Sequence, residues 1–156
     1  MIITTEQQMI DLGKKIATDL HGGDVVLLYG DLGAGKTTLT KGIALGLGIE
    51  SNIVSPTFTL MQVYNVRNTK TTCPTCPTAS RGGRAKLRNL VHIDTYRLEN
   101  EKQLLEIGAQ DYIGDTETVC VIEWAEKVDK LISGKKIIKI KIEHLEDGSR
   151  GITLMG

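Results

Sequence analysis

Apolar residues recur along this chain with two different periods. Met9, Leu12, Ile16 and Leu20 fall at helical spacing, which predicts an amphipathic helix over 6–20. Thr5 followed by Gln8 supplies a capping-box start, and His21-Gly22-Gly23 ends the helix. Residues 25–29 are a short, continuous apolar run, the pattern of a parallel strand buried on both faces. A glycine-rich stretch follows. Helical spacing then runs over 36–47, with Gly46 and Gly48 helping to stop it. Residues 58–64 read as extended. Two further apolar runs, 90–93 and 119–122, predict buried strands that end in Asp94 and Glu123. Helices are expected over 100–107 and 125–132. Residues 136–144 alternate Lys and Ile in part, as a half-exposed strand does. Asp147-Gly148 is a hairpin signal, with 150–155 as the returning strand. Strands alternating with helices predict an α/β fold, a mostly parallel sheet with an antiparallel C-terminal hairpin.

One segment breaks the pattern. Residues 65–89 are dominated by Asn, Thr, Pro, Gly and Arg, and hold too little apolar surface to offset the entropy of ordering them. A mobile insertion is expected there. It carries six basic residues, Arg67, Lys70, Arg81, Arg84, Lys86 and Arg88, and no acidic ones. The whole chain is formally neutral, so the remainder is net acidic by six. Neutrality gives no bulk-charge argument for a nucleic-acid or membrane partner. The 156 residues suit one domain. No apolar run approaches the roughly 20 residues that span a bilayer, and no signal-peptide pattern opens the chain. Three Cys, an odd number, suit a reducing compartment. A cytoplasmic protein without a membrane partner is expected.

The chemistry begins at residues 30–37, G-D-L-G-A-G-K-T, placed between an apolar strand and a helix. A nucleoside triphosphate carries several negative charges on a flexible chain of oxygens. Gly30, Gly33 and Gly35 let the backbone turn its N–H groups toward phosphates. The helix that follows adds uncommitted donors and the positive end of its dipole. Lys36 can reach the β- and γ-phosphates, Thr37 can offer its hydroxyl to Mg²⁺, and Thr38 suits the α-phosphate. The spacing therefore predicts a P-loop ATPase with ATP and Mg²⁺ as cofactors. Asp31 and Ala34 belong to the same loop. Metal and attacking water need carboxylates at the ends of neighbouring strands. Asp94 and Glu123 both stand where open α/β sheets bind ligands. Thr57, in Ser55-Pro56-Thr57, suits either a γ-phosphate-sensing switch or a simple turn.

Four motifs in order make the chain recognisable: G-D-L-G-A-G-K-T-T at 30–38, S-P-T-F-T-L at 55–60, H-I-D-T-Y-R-L at 92–98 and I-E-W-A-E at 122–126. They resemble the TsaE family of small bacterial ATPases needed to make threonylcarbamoyladenosine in tRNA. The resemblance runs from residue 5 to the end and leaves out 65–89. It implies a P-loop NTPase-like three-layer sandwich that binds ATP and Mg²⁺ and hydrolyses ATP weakly alone. It also implies TsaD and TsaB as partners, with tRNA reached indirectly through their complex and hydrolysis resetting that complex between turnovers. By the same resemblance Lys36 and the loop amides hold phosphates, Thr37 and Glu123 hold Mg²⁺, and Asp94 supports the metal or the water. Thr57 would belong to a switch loop. Trp124 would lie near the nucleotide or a partner surface, and Thr5 and Glu6 near the adenine end.

Other residues invite chemistry without completing it. Cys73 and Cys76 form a C-x-x-C, but a structural zinc site needs four ligands and no second pair exists in one chain. His92 is expected to pack or hydrogen-bond beside the sheet rather than act as acid or base. The basic insertion lacks the interleaved aromatics of a base-stacking surface. Two other classes of function use the same loop. One is a nucleotide-gated binding module with incidental hydrolysis; the other is a small-molecule kinase, for which no acceptor pocket is evident. An enzyme needs Asp94 and Glu123 at the metal and water, whereas a module needs only the loop.

Overall fold

The computed structural model describes residues 1–66, 87–100, 102–128 and 131–155. The Cys73–Cys76 pair and most of the insertion expected to be mobile over 65–89 lie outside the described residues, at 67–86; its ends are ordered instead, because Asn65 pairs with Asn89 in the sheet and the Val66 N–H donates to Arg88 O. Among the described residues a seven-stranded mixed sheet runs β1-β7-β6-β2-β5-β4-β3. Its strands are β1 (Ile2–Ile3), β2 (Asp24–Tyr29), β3 (Met61–Asn65), β4 (Asn89–Asp94), β5 (Thr118–Glu123), β6 (Lys136–His144) and β7 (Arg150–Met155). The four central strands, β6, β2, β5 and β4, are mutually parallel. Antiparallel strands flank them: β3 on one side, β7 and then β1 on the other. The expected C-terminal hairpin is β6–β7; the antiparallel β3–β4 and β1–β7 pairs were not foreseen.

The chain leaves β2, passes out to β4, then returns to lay β5 between them. Helices α1 (Glu6–Ala17) and α2 (Lys36–Gly46) cover one face, packed over Val26, Leu28, Val121 and Ile140. The other face is covered by α3 (Lys102–Glu106), a 3₁₀ turn at Ala109–Asp111 and the segment around Ala125 and Val128. That gives three layers. The cover stops short of β6, where Lys141 stands exposed and pairs with Glu143 at 2.7 Å.

The two long helices meet backbone to backbone. A Cβ on Gly13 would lie 2.5 Å from Leu39 O, and one on Gly42 would lie 2.3 Å from Ile10 O. Glycine at both positions lets α1 press α2 against the sheet. Thr5 caps α1 by accepting from the Gln8 N–H at 3.2 Å. The return arm of the expected capping box goes elsewhere: Gln8 Oε1 accepts from the Thr4 N–H and hydroxyl.

Three expected elements differ. Residues 58–60 form a turn, not strand, because the Pro56 carbonyl accepts from Thr59 and Leu60 and Leu60 takes a left-handed backbone (φ 61°). Extended structure starts at Met61. The helix expected over 125–132 is a single 3₁₀ turn, Ala125–Lys127, which ends where Val128 leaves helical backbone (φ −124°, ψ 16°). The helix expected over 100–107 shortens to Lys102–Glu106.

Candidate functional site

Strand alternation decides which side chains meet. On β4, Leu90, His92 and Asp94 share the face covered by α2; on β5, Val119, Val121 and Glu123 do. Register sets Asp94 opposite Glu123, and Glu123 opposite Leu28, two residues before Gly30. Both carboxylates therefore emerge beside the loop that follows β2. Both are almost fully buried.

That loop turns back through left-handed glycines, Gly30 (φ 137°), Gly33 (φ 76°) and Gly35 (φ 110°). A Cβ at Gly30 would come within 2.2 Å of Ile142 O, so only glycine fits between the loop and β6. Gly35 is the N-cap of α2 and offers no side-chain bond to the helix donors. No acidic side chain fills the first turn either. The helix end thus keeps free donors and an uncompensated positive dipole, the arrangement that receives anions.

Lys36 is buried. Its ammonium donates to Gly30 O at 2.6 Å and Asp31 O at 2.9 Å, and lies 3.8 Å from the centre of the Trp124 ring. Burial pushes it below the ordinary lysine pKa, against the attraction of Glu123 and Asp94. Trp124 reaches it from a left-handed backbone (φ 59°), rare for a bulky residue. Its ring also rests against Tyr96 at 5.0 Å.

The Thr37 hydroxyl donates to Glu123 Oε1 at 2.9 Å, and His92 Nε2 lies 2.7 Å from the same oxygen. Asp94 is held separately. Its Oδ2 accepts from Ser55 at 2.7 Å and Thr57 at 2.6 Å, and its Oδ1 accepts from the Tyr96 N–H at 2.9 Å. Thr37 and Glu123 offer hard oxygen donors, which suit Mg²⁺. Among the described residues no cluster of three or more His, Cys, Asp or Glu could hold a metal. A cation here would have to complete its shell with water and ligand oxygens, as Mg²⁺ does on nucleotides. Cys120 contributes nothing: it is buried, burial pushes its thiol to about 12, and it donates to Tyr112 O.

A cleft of about 580 Å³, large enough for a small-molecule ligand, is lined by Lys36, Thr37, Thr57, Asp94, Glu123 and Trp124. Gly33, Gly35 and Thr38 belong both to this cleft and to a second recess, which holds Thr5, Glu6 and Ala34. Asp31 sits outside both, exposed, contributing its carbonyl to Lys36. Lys36, Thr37, Thr57, Asp94, Glu123 and Trp124 are thus brought to one rim at the ends of β2, β4 and β5, with Thr5, Glu6 and Ala34 in the adjoining recess. Four other residues take part, three of them not singled out from the sequence; the fourth, His92, packs and hydrogen-bonds beside the sheet as expected. Arg150 enters the second recess from β7 and donates to Ala34 O at 3.2 Å. Ser55 shares Asp94 with Thr57. Thr95 bolts β4 to β5 by donating to the carbonyls of Glu123 and Trp124. His92 grips Glu123. Ser55, His92 and Thr95 lie inside the recognised motifs, but only tertiary topology shows what each of them, and Arg150, pairs with.

Comparison with known proteins places the chain and its fold. The chain matches the family described as Threonylcarbamoyl adenosine biosynthesis protein TsaE over residues 3–152. It is 40% identical to the tRNA threonylcarbamoyladenosine biosynthesis protein TsaE of Treponema pallidum over 142 residues, 91% of this chain and 89% of that one. It is 34% identical to the protein of the same name from Haemophilus influenzae, over 98% of this chain and 86% of that one. Its fold is similar to the crystal structure of Bacillus subtilis YdiB, with a TM-score of 0.68 and 29% identity, covering 99% of this chain and 82% of that one. With a match across nearly its whole length and the loop, carboxylates and strand order in place, the chain belongs to the TsaE family.

Proposed function

We propose that this protein binds and hydrolyses ATP as an accessory subunit of tRNA threonylcarbamoyladenosine formation, acting with TsaD and TsaB in the cytoplasm. The observation that carries the reading is the Thr37–Glu123 contact at the uncapped start of α2, beside a buried Lys36. Phosphates would replace the Gly30 and Asp31 carbonyls as partners of Lys36, which offsets the cost of burying that cation. The loop amides and the first N–H groups of α2 would orient the phosphate chain. Thr37 and Glu123 would hold Mg²⁺, which when bound offsets charge on the β- and γ-phosphate oxygens. Asp94 would orient water or the metal's shell. Thr5, Glu6, Ala34 and Thr38 would line the nucleoside end. tRNA would be reached through the partners.

One observation favours a second reading. Asp94 Oδ2 is engaged by Ser55 and Thr57, so its present task is to hold the 55–60 loop. A nucleotide-gated module that docks partners through that loop would need no hydrolysis. Phosphate release, measured with and without TsaD and TsaB, separates the two. Turnover that rises with the partners supports the ATPase; no release in either condition supports the module.

A further inference from the structure

We propose that His92 is a positioning residue that fixes the Glu123 carboxylate for the metal. The inference rests on the reading of Glu123 as a metal-side group. His92 is fully buried on the α2 face of β4, where the positions on the core side of the two carboxylates, Leu90, Val119 and Val121, are aliphatic. An aliphatic side chain would fill such a place without polar cost. The imidazole instead makes one hydrogen bond among the described residues, Nε2 to Glu123 Oε1 at 2.7 Å, and its Nδ1 has no partner among them. A carboxylate oxygen accepts, so Nε2 carries the hydrogen of this bond. Leaving a buried polar atom unpaired costs about 1–3 kcal/mol. A residue kept only for packing has no reason to carry that cost. Glu123 explains it.

Glu123 is nearly buried at the end of β5 and its side chain rotates about three bonds. Thr37 alone would hold Oε1 from the cleft side, through a hydroxyl that itself turns freely. His92 holds the same oxygen from inside the sheet, on a ring fixed by its packing. With Oε1 pinned from two sides, Oε2 is left without a hydrogen bond among the described residues. The pair thus presents one oxygen of fixed orientation and one uncommitted oxygen beside Thr37. A buried group that orients a metal ligand characteristically changes metal affinity by about 10–100-fold when removed.

The test compares His92→Leu, which removes the donor, with His92→Gln, whose amide can donate from nearly the position of Nε2. Each is measured for thermal unfolding without ligands, for binding of a non-hydrolysable ATP analogue without metal, and for Mn²⁺ affinity in the analogue's presence by electron paramagnetic resonance. His92→Leu should fold, bind the metal-free analogue as the unmodified protein does, and lose about ten-fold or more in Mn²⁺ affinity. Its kcat should fall with KM little changed. His92→Gln should recover most of the Mn²⁺ affinity. Unchanged Mn²⁺ affinity in His92→Leu, or a Gln variant no better than the Leu variant, would overturn the proposal. If His92→Leu does not fold, His92→Asn, whose donor falls short of Glu123, takes its place; equal affinity in the Asn and Gln variants would overturn it. Glu123→Ala run in parallel separates the two levels. If that variant binds Mn²⁺ normally, the reading of Glu123 is itself wrong; if it binds weakly while His92→Leu binds normally, only the role of His92 is refuted.

Discussion

At the scale of single residues the site is built around a buried cation with borrowed partners. Lys36 is satisfied by two loop carbonyls and a tryptophan face, which hold it where phosphates would arrive. Lys36→Ala should therefore abolish tight ATP binding, by about 1.5–3 kcal/mol for the charged hydrogen bonds alone, and leave the fold intact. Titration calorimetry checks this; near-normal affinity would refute the assignment. The same burial makes a prediction in pH. Because the folded-state pKa of Lys36 is lowered, the unfolded chain holds that proton to higher pH than the folded one. Between the lowered value and 10.5, folding releases a proton, so this contribution to stability grows as pH rises through that window. Denaturant midpoints of the unmodified protein minus those of Lys36→Met should climb as pH rises toward 10.5; a flat difference would contradict it. Glu123→Ala should impair Mg²⁺-dependent hydrolysis more than nucleotide binding, since charge develops on the transferred phosphoryl group. Single-turnover hydrolysis measured beside binding decides; equal loss in both would make Glu123 structural. Lys36, Thr37, Asp94 and Glu123 were legible in the sequence because loop spacing and strand-end position are local patterns. His92 with Glu123, 31 residues apart, and Arg150 with Ala34, 116 apart, were not, because only the folded sheet brings them together.

At the scale of elements, apolar period found the buried strands and the two long helices, and failed where turn chemistry competes with it. Pro56 and the left-handed Leu60 turn residues 58–60, expected to be extended, into a bend. The segment after Trp124 has helical apolar spacing, yet its backbone leaves the helix at Val128, which is fully buried in the core. The α1–α2 contact was also hidden, since a glycine inside a helix reads only as a weak position. Structure gives it a purpose: Gly42 admits the Ile10 carbonyl where a Cβ would stand 2.3 Å away. Gly42→Ala should gain about 1 kcal/mol in helix propensity and lose about 1–3 kcal/mol or more to overpacking against backbone. A net loss of stability is expected, seen as a lower Tm. Because α2 begins at the phosphate loop, ATP affinity should fall as well. A variant more stable than the parent would show that the helices can separate freely.

At the scale of the whole molecule, the topology places the site and joins the two flanks of the basic segment. By running β4 outside and filling the gap with β5, the chain puts Glu123 next to the loop strand and Asp94 one strand further out. The α/β class was readable from alternating elements, but this strand order was not, since local pattern carries no information on which strands pair. The β3–β4 pairing, with Asn65 opposite Asn89 and the Val66 N–H donating to Arg88 O at 2.7 Å, brings the two ends of the basic segment together. A short Gly/Ser link replacing 67–86 should thus leave Tm and ATP affinity nearly unchanged; a large drop in stability would show that the segment belongs to the fold. If modification activity falls while both hold, with a shallower salt dependence of tRNA binding, the five basic residues removed with 67–86 act in docking. The central claim, that ATP hydrolysis at Lys36 and Glu123 supports tRNA modification, is tested most directly by threonylcarbamoyladenosine yield over many turnovers, in a reconstitution with TsaD and TsaB. The unmodified protein should sustain formation, while Lys36→Ala and Glu123→Ala should let it stall early. Equal yield from all three, or from a reaction lacking this protein, would contradict the account.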